Sequence, residues 1–331
     1  VPGGPVEQIA SRMSGEAASA TGNFDGSSAA SAAANANVAG STNSGLPPEV
    51  VKQLEKLYGF DKPAHERYIK MLKDFATLDL GTSYYKDEKV IDLILSKMPV
   101  SISLGLWTIL LTYLISIPLG IRKAVRAGTS FDNWSSFLII VGYAIPAFLF
   151  AILMVVLFAG GNFWNIFPSR GLTSENFEDL STLGKIGDYF WHITLPVLAI
   201  SIGSFANLTM LCKNSTLDEI NKQYVTTARA KGLGETQVLY GHVFRNAMMI
   251  VVAGFPHAFI TVLFASSLLI EVIFSLDGIG LLSFEAAMNR DYPVMLGSLF
   301  MFSLLGLIAN LLGDICYVLV DPRIDFERRD V

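Results

Sequence analysis

Five stretches, Pro99–Ile121, Ser135–Ala159, Ile193–Cys212, Asn246–Ile270 and Tyr292–Gly313, contain no Asp, Glu, Lys or Arg. Each is about long enough to cross a hydrocarbon core of roughly 30 Å as a helix rising 1.5 Å per residue. Lipid offers no partner to a backbone N–H or C=O, so a spanning segment must satisfy its own backbone or join a closed barrel. Runs this long without alternation of inward and outward residues suit helices rather than barrel strands. Composition agrees: 52% of the residues are apolar and 16% charged, and mean hydropathy is positive. A soluble fold is excluded, and an all-α polytopic bundle is expected.

Charge sorts the loops, because Lys and Arg collect on the cytoplasmic side. Arg122, Lys123 and Arg126 follow the first stretch, and Lys213, Lys222, Arg229, Lys231 and Arg245 follow the third. Both links are read as cytoplasmic. Gly160–Asp188 is richer in acids, with Glu175, Glu178, Asp179 and Asp188 against Arg170 and Lys185, and Phe274–Asp291 carries one base, Arg290. These are read as periplasmic, and the tail with Arg323, Arg328 and Arg329 as cytoplasmic. With five spans this places residues 1–98 outside. A further transmembrane helix before Val1 is the expectation, with a cleaved signal peptide as the alternative.

The expected organisation is a periplasmic segment 1–98, a transmembrane domain 99–320 holding a cytoplasmic loop 213–245, and a cytoplasmic tail 321–331. Residues 11–45 are mostly Ala, Ser, Gly and Asn and lack apolar surface to offset ordering entropy, so a flexible stretch is expected there. Residues 47–98 change texture. Val50, Val51, Leu54 and Leu57, then Tyr68, Ile69, Leu72 and Phe75, recur at helical spacing and predict a small helical cap. Pro118, Gly142, Pro146, Pro196, Gly203, Gly254 and Pro256 fall inside the spans, where neighbouring helices resatisfy freed backbone groups; packing, kinking and gating are all open to them. Asn207, Asn310 and His257 are expected to hydrogen-bond between helices.

Catalytic and metal chemistry find no footing. Two cysteines, Cys212 and Cys316, and four scattered histidines make no CxxC or HExxH pattern. An intramembrane protease would need a nucleophile with its base, a zinc motif or facing aspartates, and Gly278-Ile-Gly280 is followed by Leu281 rather than Asp. A secondary transporter, which would show inverted repeats and midplane charge, and a receptor or scaffold without transport are the alternatives. The remaining acids near the spans are Glu271 and Asp314, for which structural pairing and a gate or path role both stand.

The loop from Asn214 to Gly232 predicts a short helix, with Ser215 as N-cap, Asp218 three residues on, small residues Ala228 and Ala230, and Gly232 as its stop. Held outside the bilayer, such a helix either docks in a groove of another protein or lies solvated. Tyr224-Val-Thr-Thr-Ala-Arg-Ala-Lys-Gly-Leu233, followed by His242-Val-Phe-Arg-Asn-Ala247, resembles the coupling-helix loop of binding-protein-dependent ATP-binding-cassette (ABC) importer permeases of the dipeptide/oligopeptide branch. Tyr58-Gly-Phe-Asp-Lys-Pro63, Leu78-Asp-Leu-Gly-Thr-Ser83, Met98-Pro-Val-Ser-Ile-Ser-Leu-Gly105, Ile117-Pro-Leu-Gly-Ile121, His192-Ile-Thr-Leu-Pro196, Phe274-Ser-Leu-Asp-Gly-Ile-Gly280 and Asp321-Pro-Arg-Ile324 agree in order. The likeness spans the chain apart from residues 6–46 and is nearest to the B-type permeases of systems importing microcin C and related peptides. Thr226 and Thr227 stand where the broader motif has Glu and Ala.

The resemblance implies a type I ABC importer permease in a bacterial inner membrane, with no catalysis of its own and no cofactor or metal in this chain. ATP and Mg would be bound by two partner ATPase domains or one fused ATPase, since no GxxxxGK[ST] loop is present here. A second homologous permease would complete a heterodimer, a periplasmic binding protein would deliver peptide, and lipid would surround the bundle; no nucleic acid is implied. Tyr224, Thr227, Ala228, Arg229, Ala230, Lys231 and Gly232 would couple to the ATPase. Glu271, Asp277, Gly278, Gly280 and Asp314 would serve a gate or path.

Overall fold

The computed structural model describes residues 62–161, 163–264 and 268–320. The flexible stretch expected over 11–45, the helix expected over Glu49–Tyr58 and the tail 321–331 lie outside the described residues. The described residues fall into two compact units, 62–91 with Ala286–Gly297, and Asp92–Glu285 with 298–320.

In the described part of the first unit, α1 (Ala64–Ala76) is the helix that carries Tyr68, Ile69, Leu72 and Phe75. Asp79 N–H reaches Asp74 O (2.9 Å) and Leu78 N–H reaches Phe75 O (3.0 Å), closing the helix with Leu78 at φ 59°. The following loop is not helical. Thr82 and Lys89 form an isolated antiparallel bridge, and Ser83 Oγ donates to Asp291 Oδ2 at 2.5 Å while Tyr84 N–H donates to Asp291 Oδ1 at 3.2 Å. Ser83 Oγ in turn accepts from the N–H groups of Tyr85 and Lys86. The motif Leu78–Ser83 is thus a helix stop followed by a loop pinned to one buried carboxylate. Gly297 carries no Cβ because one would lie 2.7 Å from Val90 Cγ1.

The remaining helices, long and short, lie wholly or mostly in the second unit. These are α2 (Val90–Val125), α3 (Ser130–Ala144), α4 (Ala147–Phe158), α5 (Thr182–Ile220), α6 (Gln223–Ala230) and α7 (Glu235–Val238). A π turn (Leu239–Val243) leads into α8 (Phe244–Ala247) and α9 (Met249–Phe264), followed by α10 (Leu268–Ile273), α11 (Ile279–Asn289) and α12 (Tyr292–Val320). Among the described residues Val90–Val125, Thr182–Ile220, Glu235–Pro256 and Tyr292–Ile315 are each long and apolar enough to cross a membrane, and α3 with α4 makes up to five if that pair is one span. The 39-residue α5 is central: α3, α4, α8, α9 and α10 all pack on it. Leu104, Ala151, Ile193, Leu195, Ala199, Ile200, Ile270 and Phe274 form the core beside it. Outward faces stay apolar, as Leu114, Leu138 and Leu307 illustrate at 66–68% exposure, which suits lipid as solvent.

Two expectations are corrected. The stretch Ser135–Ala159 is not one straight helix, since α3 and α4 meet at 94°. Ile145 is extended (φ −85°, ψ 119°), as a residue preceding proline tends to be, and Pro146 has no N–H to continue α3. Ser215 does not cap the loop helix, because α5 runs on to Ile220 and Ser215 Oγ instead donates to Ala247 O (2.6 Å), tying α5 to α8. In addition Asn207 and Asn310 are exposed on their helices.

Candidate functional site

Lys222 is extended (ψ 152°) and stands between α5 and α6, so the chain turns out of the long helix into an eight-residue one. Val225 and Ala228, three apart, are buried against Val238 and Val243, with Ile220, Tyr224 and Leu239 around them. The helix ends as its sequence requires: Leu233 N–H reaches Ala228 O (3.3 Å), Gly232 N–H reaches Arg229 O (2.9 Å), and Gly232 takes φ +85°.

The residues expected to couple to an ATPase divide by face. Thr227, Arg229, Ala230, Lys231 and Gly232 are exposed, Ala228 is buried, and Tyr224 is half-buried. Ala228 and Ala230 therefore do not share a small-residue face; two residues of helix separate them by about 200°. Tyr224 Oη donates to Glu219 Oε2 (2.6 Å), and burial followed by that carboxylate pushes its phenol above the ordinary value. Arg229 grips Glu235 through Nε (2.9 Å) and Nη2 (3.0 Å), a bidentate pair linking α6 to α7. The result is a short helix seated by one side and open on the rest.

The expected gate residues fall into two places. Glu271, fully buried on α10, sits at the start of α11: its Oε2 accepts from Leu281 N–H (2.7 Å), and Ser101 Oγ of α2 accepts from Ile279 N–H (2.9 Å). Two N–H groups that helix geometry leaves open at the start of α11 are thereby filled. Gly278 lies against that carboxylate, Gly280 is on the first turn of α11, and Asp277 is exposed and ion-paired with Lys97. Ser275 at φ 51° ends α10, with Leu276 N–H on Glu271 O (2.7 Å). Asp314 is elsewhere, exposed on α12 in an open cleft of about 380 Å³ with Ile250, Ala253, Gly254, Ala309, Asn310 and Gly313.

One cluster escaped the sequence reading. Lys123 of α2 and Lys213 of α5 read as flanking charges of cytoplasmic loops, yet both converge on Asp132 of α3. Spacing gives no signal for it, since Asp132 and Lys213 are 81 residues apart.

Long apolar helices around a central one, with a short helix presented from the link between two of them, define a polytopic membrane protein. Residues 116–326 match the family described as binding-protein-dependent transport system inner membrane component. The chain belongs to that family. It is 55% identical to the peptidoglycan transport system permease protein YejB of Agrobacterium fabrum, over 100% of this chain and 92% of the relative. It is 56% identical to the inner membrane ABC transporter permease protein YejB of Escherichia coli O157:H7, over 99% and 92%. The oligopeptide transport system permease protein AppB of Bacillus subtilis is 34% identical over 83% and 85%. A solved chain of the MetNI methionine ABC transporter shares the fold, with a TM-score of 0.53 and 16% identity over 70% of this chain and 97% of that one. The protein is thus a permease subunit of an ABC importer, with the type I importer permease fold.

Proposed function

We propose that this permease moves peptides from the periplasm to the cytoplasm, with α6 as the coupling helix. The carrying observation is α6 itself: eight residues, seated by Val225 and Ala228, with Thr227, Arg229, Ala230 and Lys231 open. In this reading Tyr224 and Ala228 hold the helix, the open residues fill a groove of a separate ATPase that binds ATP and Mg, and Gly232 ends it. The Lys and Arg of the loops support a cytoplasmic side for residues 213–245 and the C-terminus and a periplasmic side for residues 1–98.

A second, homologous permease completes a heterodimer around the path, two ATPase domains or one fused ATPase drive it, and a periplasmic binding protein hands over cargo. Closure of the ATPases presses on α6. Because α6 packs against Ile220, Val238 and Val243, the push reaches α5 and the π turn together and biases the bundle between two states. Glu271, Asp277, Gly278 and Gly280 frame the periplasmic gate, and Asp314 lines the path. The transport of peptidoglycan and oligopeptides named for the relatives supports a peptide cargo; microcin C-like peptides are the narrower assignment, carried by the motif likeness.

The test is co-expression with the cognate ATPases and second permease. Ala230→Asp or Arg229→Glu is expected to remove the ATPase from the purified complex while the permeases stay paired. An ATPase that remains bound to both variants, or that never joins the wild-type chain, sinks the coupling reading.

A further inference from the structure

Lys123 has no exposed surface, Asp132 is 4% exposed, and the Lys213 side chain is 16% exposed. Lys213 Nζ donates to both carboxylate oxygens of Asp132 at 2.7 Å, Lys123 Nζ lies 3.1 Å from Asp132 Oδ1, and Gly128 N–H donates to Asp132 Oδ2 at 3.1 Å. Lys123 Nζ also donates to Asp132 O (2.9 Å), Ser135 Oγ (2.8 Å) and Ser136 Oγ (2.7 Å). Two cations and one anion are therefore enclosed where α2 ends, α3 begins and α5 approaches its last two turns. Buried charge of this kind persists only while each group keeps its partners, so sliding any one helix strands a charge from which water is excluded.

The neighbouring backbone closes the same way. A Cβ on Gly120 would lie 2.5 Å from Cys212 Cβ and 2.8 Å from Thr209 O, so α2 and α5 are in backbone contact beside the cluster. On the far side of α5, the Ser215 hydrogen bond to Ala247 fixes α8. From Lys213 to the end of α5 is seven residues, about 10 Å of helix, and α6 follows.

We infer that the Lys123–Asp132–Lys213 triad is the joint that makes the ends of α2, α3 and α5 turn as one body with α6, so that a push on α6 reaches three membrane helices at once. The three are positioning residues: they touch neither cargo nor nucleotide. The inference rests on the coupling role proposed for α6.

The test uses the assembled importer in lipid nanodiscs, with spin labels on cysteines at Ala127 and Thr236, both exposed, in a background where Cys212 and Cys316 are Ser. Electron–electron resonance gives the label separation without nucleotide and with ATP and vanadate. For the wild-type joint the separation is expected to be the same in both conditions. With Asp132→Asn it is expected to shift between them by about 2 Å, the scale of helix shifts at switching interfaces, while the ATPase stays bound and hydrolyses ATP at the wild-type rate. Lys213→Arg, which keeps a cation on the carboxylate, is expected to behave as wild type. Should Asp132→Asn fail to assemble, Ser135→Ala with Ser136→Ala removes two partners of Lys123 and is expected to give the same shift. A separation that changes with nucleotide in the wild-type joint, or that stays fixed both in Asp132→Asn and in Ser135→Ala with Ser136→Ala, overturns the inference. Loss of the ATPase from the α6 variants is read separately, so failure of the joint and failure of the coupling reading are distinguishable.

Discussion

The carboxylate of Glu271 occupies the space that a side chain at residue 278 would need: a Cβ built on Gly278 lies 2.4 Å from Oε1 and 2.8 Å from Oε2. Glycine at 278 is thus set by an acid seven residues earlier. The acid in turn is held by Leu281 N–H at the start of α11.

Gly278→Ala must displace that carboxylate from a fully buried position. The expected cost is about 1–3 kcal/mol, from overpacking together with the loss of a charge-assisted hydrogen bond. It is read as a lower melting temperature of the detergent-purified subunit. Glu271→Ala is destabilising alone, yet in the double variant the clash is gone, so the two costs should sum to more than the double variant shows. Strict additivity would mean that the two residues do not compete for space.

Asp291 and Ser83 give a second prediction. Asp291 is 4% exposed and serves the hydroxyl of Ser83 and the N–H of Tyr84, so Asp291→Ala removes an acceptor from both. A loss of about 2–3 kcal/mol is expected, in the range for hydrogen bonds to buried charge. Hydrogen exchange should locate it: the amides of Tyr84, Tyr85 and Lys86 are expected to lose protection together. Unchanged exchange at those three amides would show that the loop is held by other contacts.

The apolar runs were legible because lipid leaves the chain so few options; a charge-free run of twenty residues has to be helical. Gly232 was legible as a stop because its left-handed φ is a local matter of the residue itself. The bend at Ile145–Pro146 was not, since proline inside a span permits both a mild kink and a break, and Pro99, Pro118 and Pro196 all sit within continuous helices. Ser215 misled because a serine followed three residues later by an acid fits both a helix start and a helix interior. The hydrogen bond from Ser215 to Ala247 decides it, and that contact is 32 residues away. For the same reason Lys123 and Lys213 read as loop charges: a positive residue beyond a span has an ordinary explanation, and only the fold brings both to Asp132. Glu271 was recognised as unusual, whereas its partner, the first turn of α11, could not be read without knowing where α11 begins.

Gly232→Ala tests backbone strain free of packing. No atom lies within 4 Å of a Cβ built there, and φ is +85°. The expected cost is the left-handed penalty alone, about 1 kcal/mol, with Gly232→Asn costing less because Asn tolerates this region better. Thermal melts of the purified subunit measure both. A cost well above this for Ala would mean that α6 is held in a tighter setting than its open surface indicates.

Gly120 and Gly203 make the last prediction, because the same substitution should have opposite outcomes in two helices of one bundle. At Gly120 a Cβ meets the Cβ of Cys212 at 2.5 Å and the backbone oxygen of Thr209 at 2.8 Å. Neither is the far end of a flexible side chain, so α2 and α5 must separate, and small residues at helix crossings exist to prevent that. Gly120→Ala is expected to lose about 2–3 kcal/mol, as overpacking does when the backbone must move. At Gly203, inside α5, a Cβ has no atom within 4 Å. There the methyl group only reduces backbone freedom, and Gly203→Ala is expected to be neutral or to stabilise by up to about 1 kcal/mol. Unfolding of the two variants in the same detergent gives the comparison, and equal effects would mean that the close approach of α2 to α5 is not what sets glycine at 120.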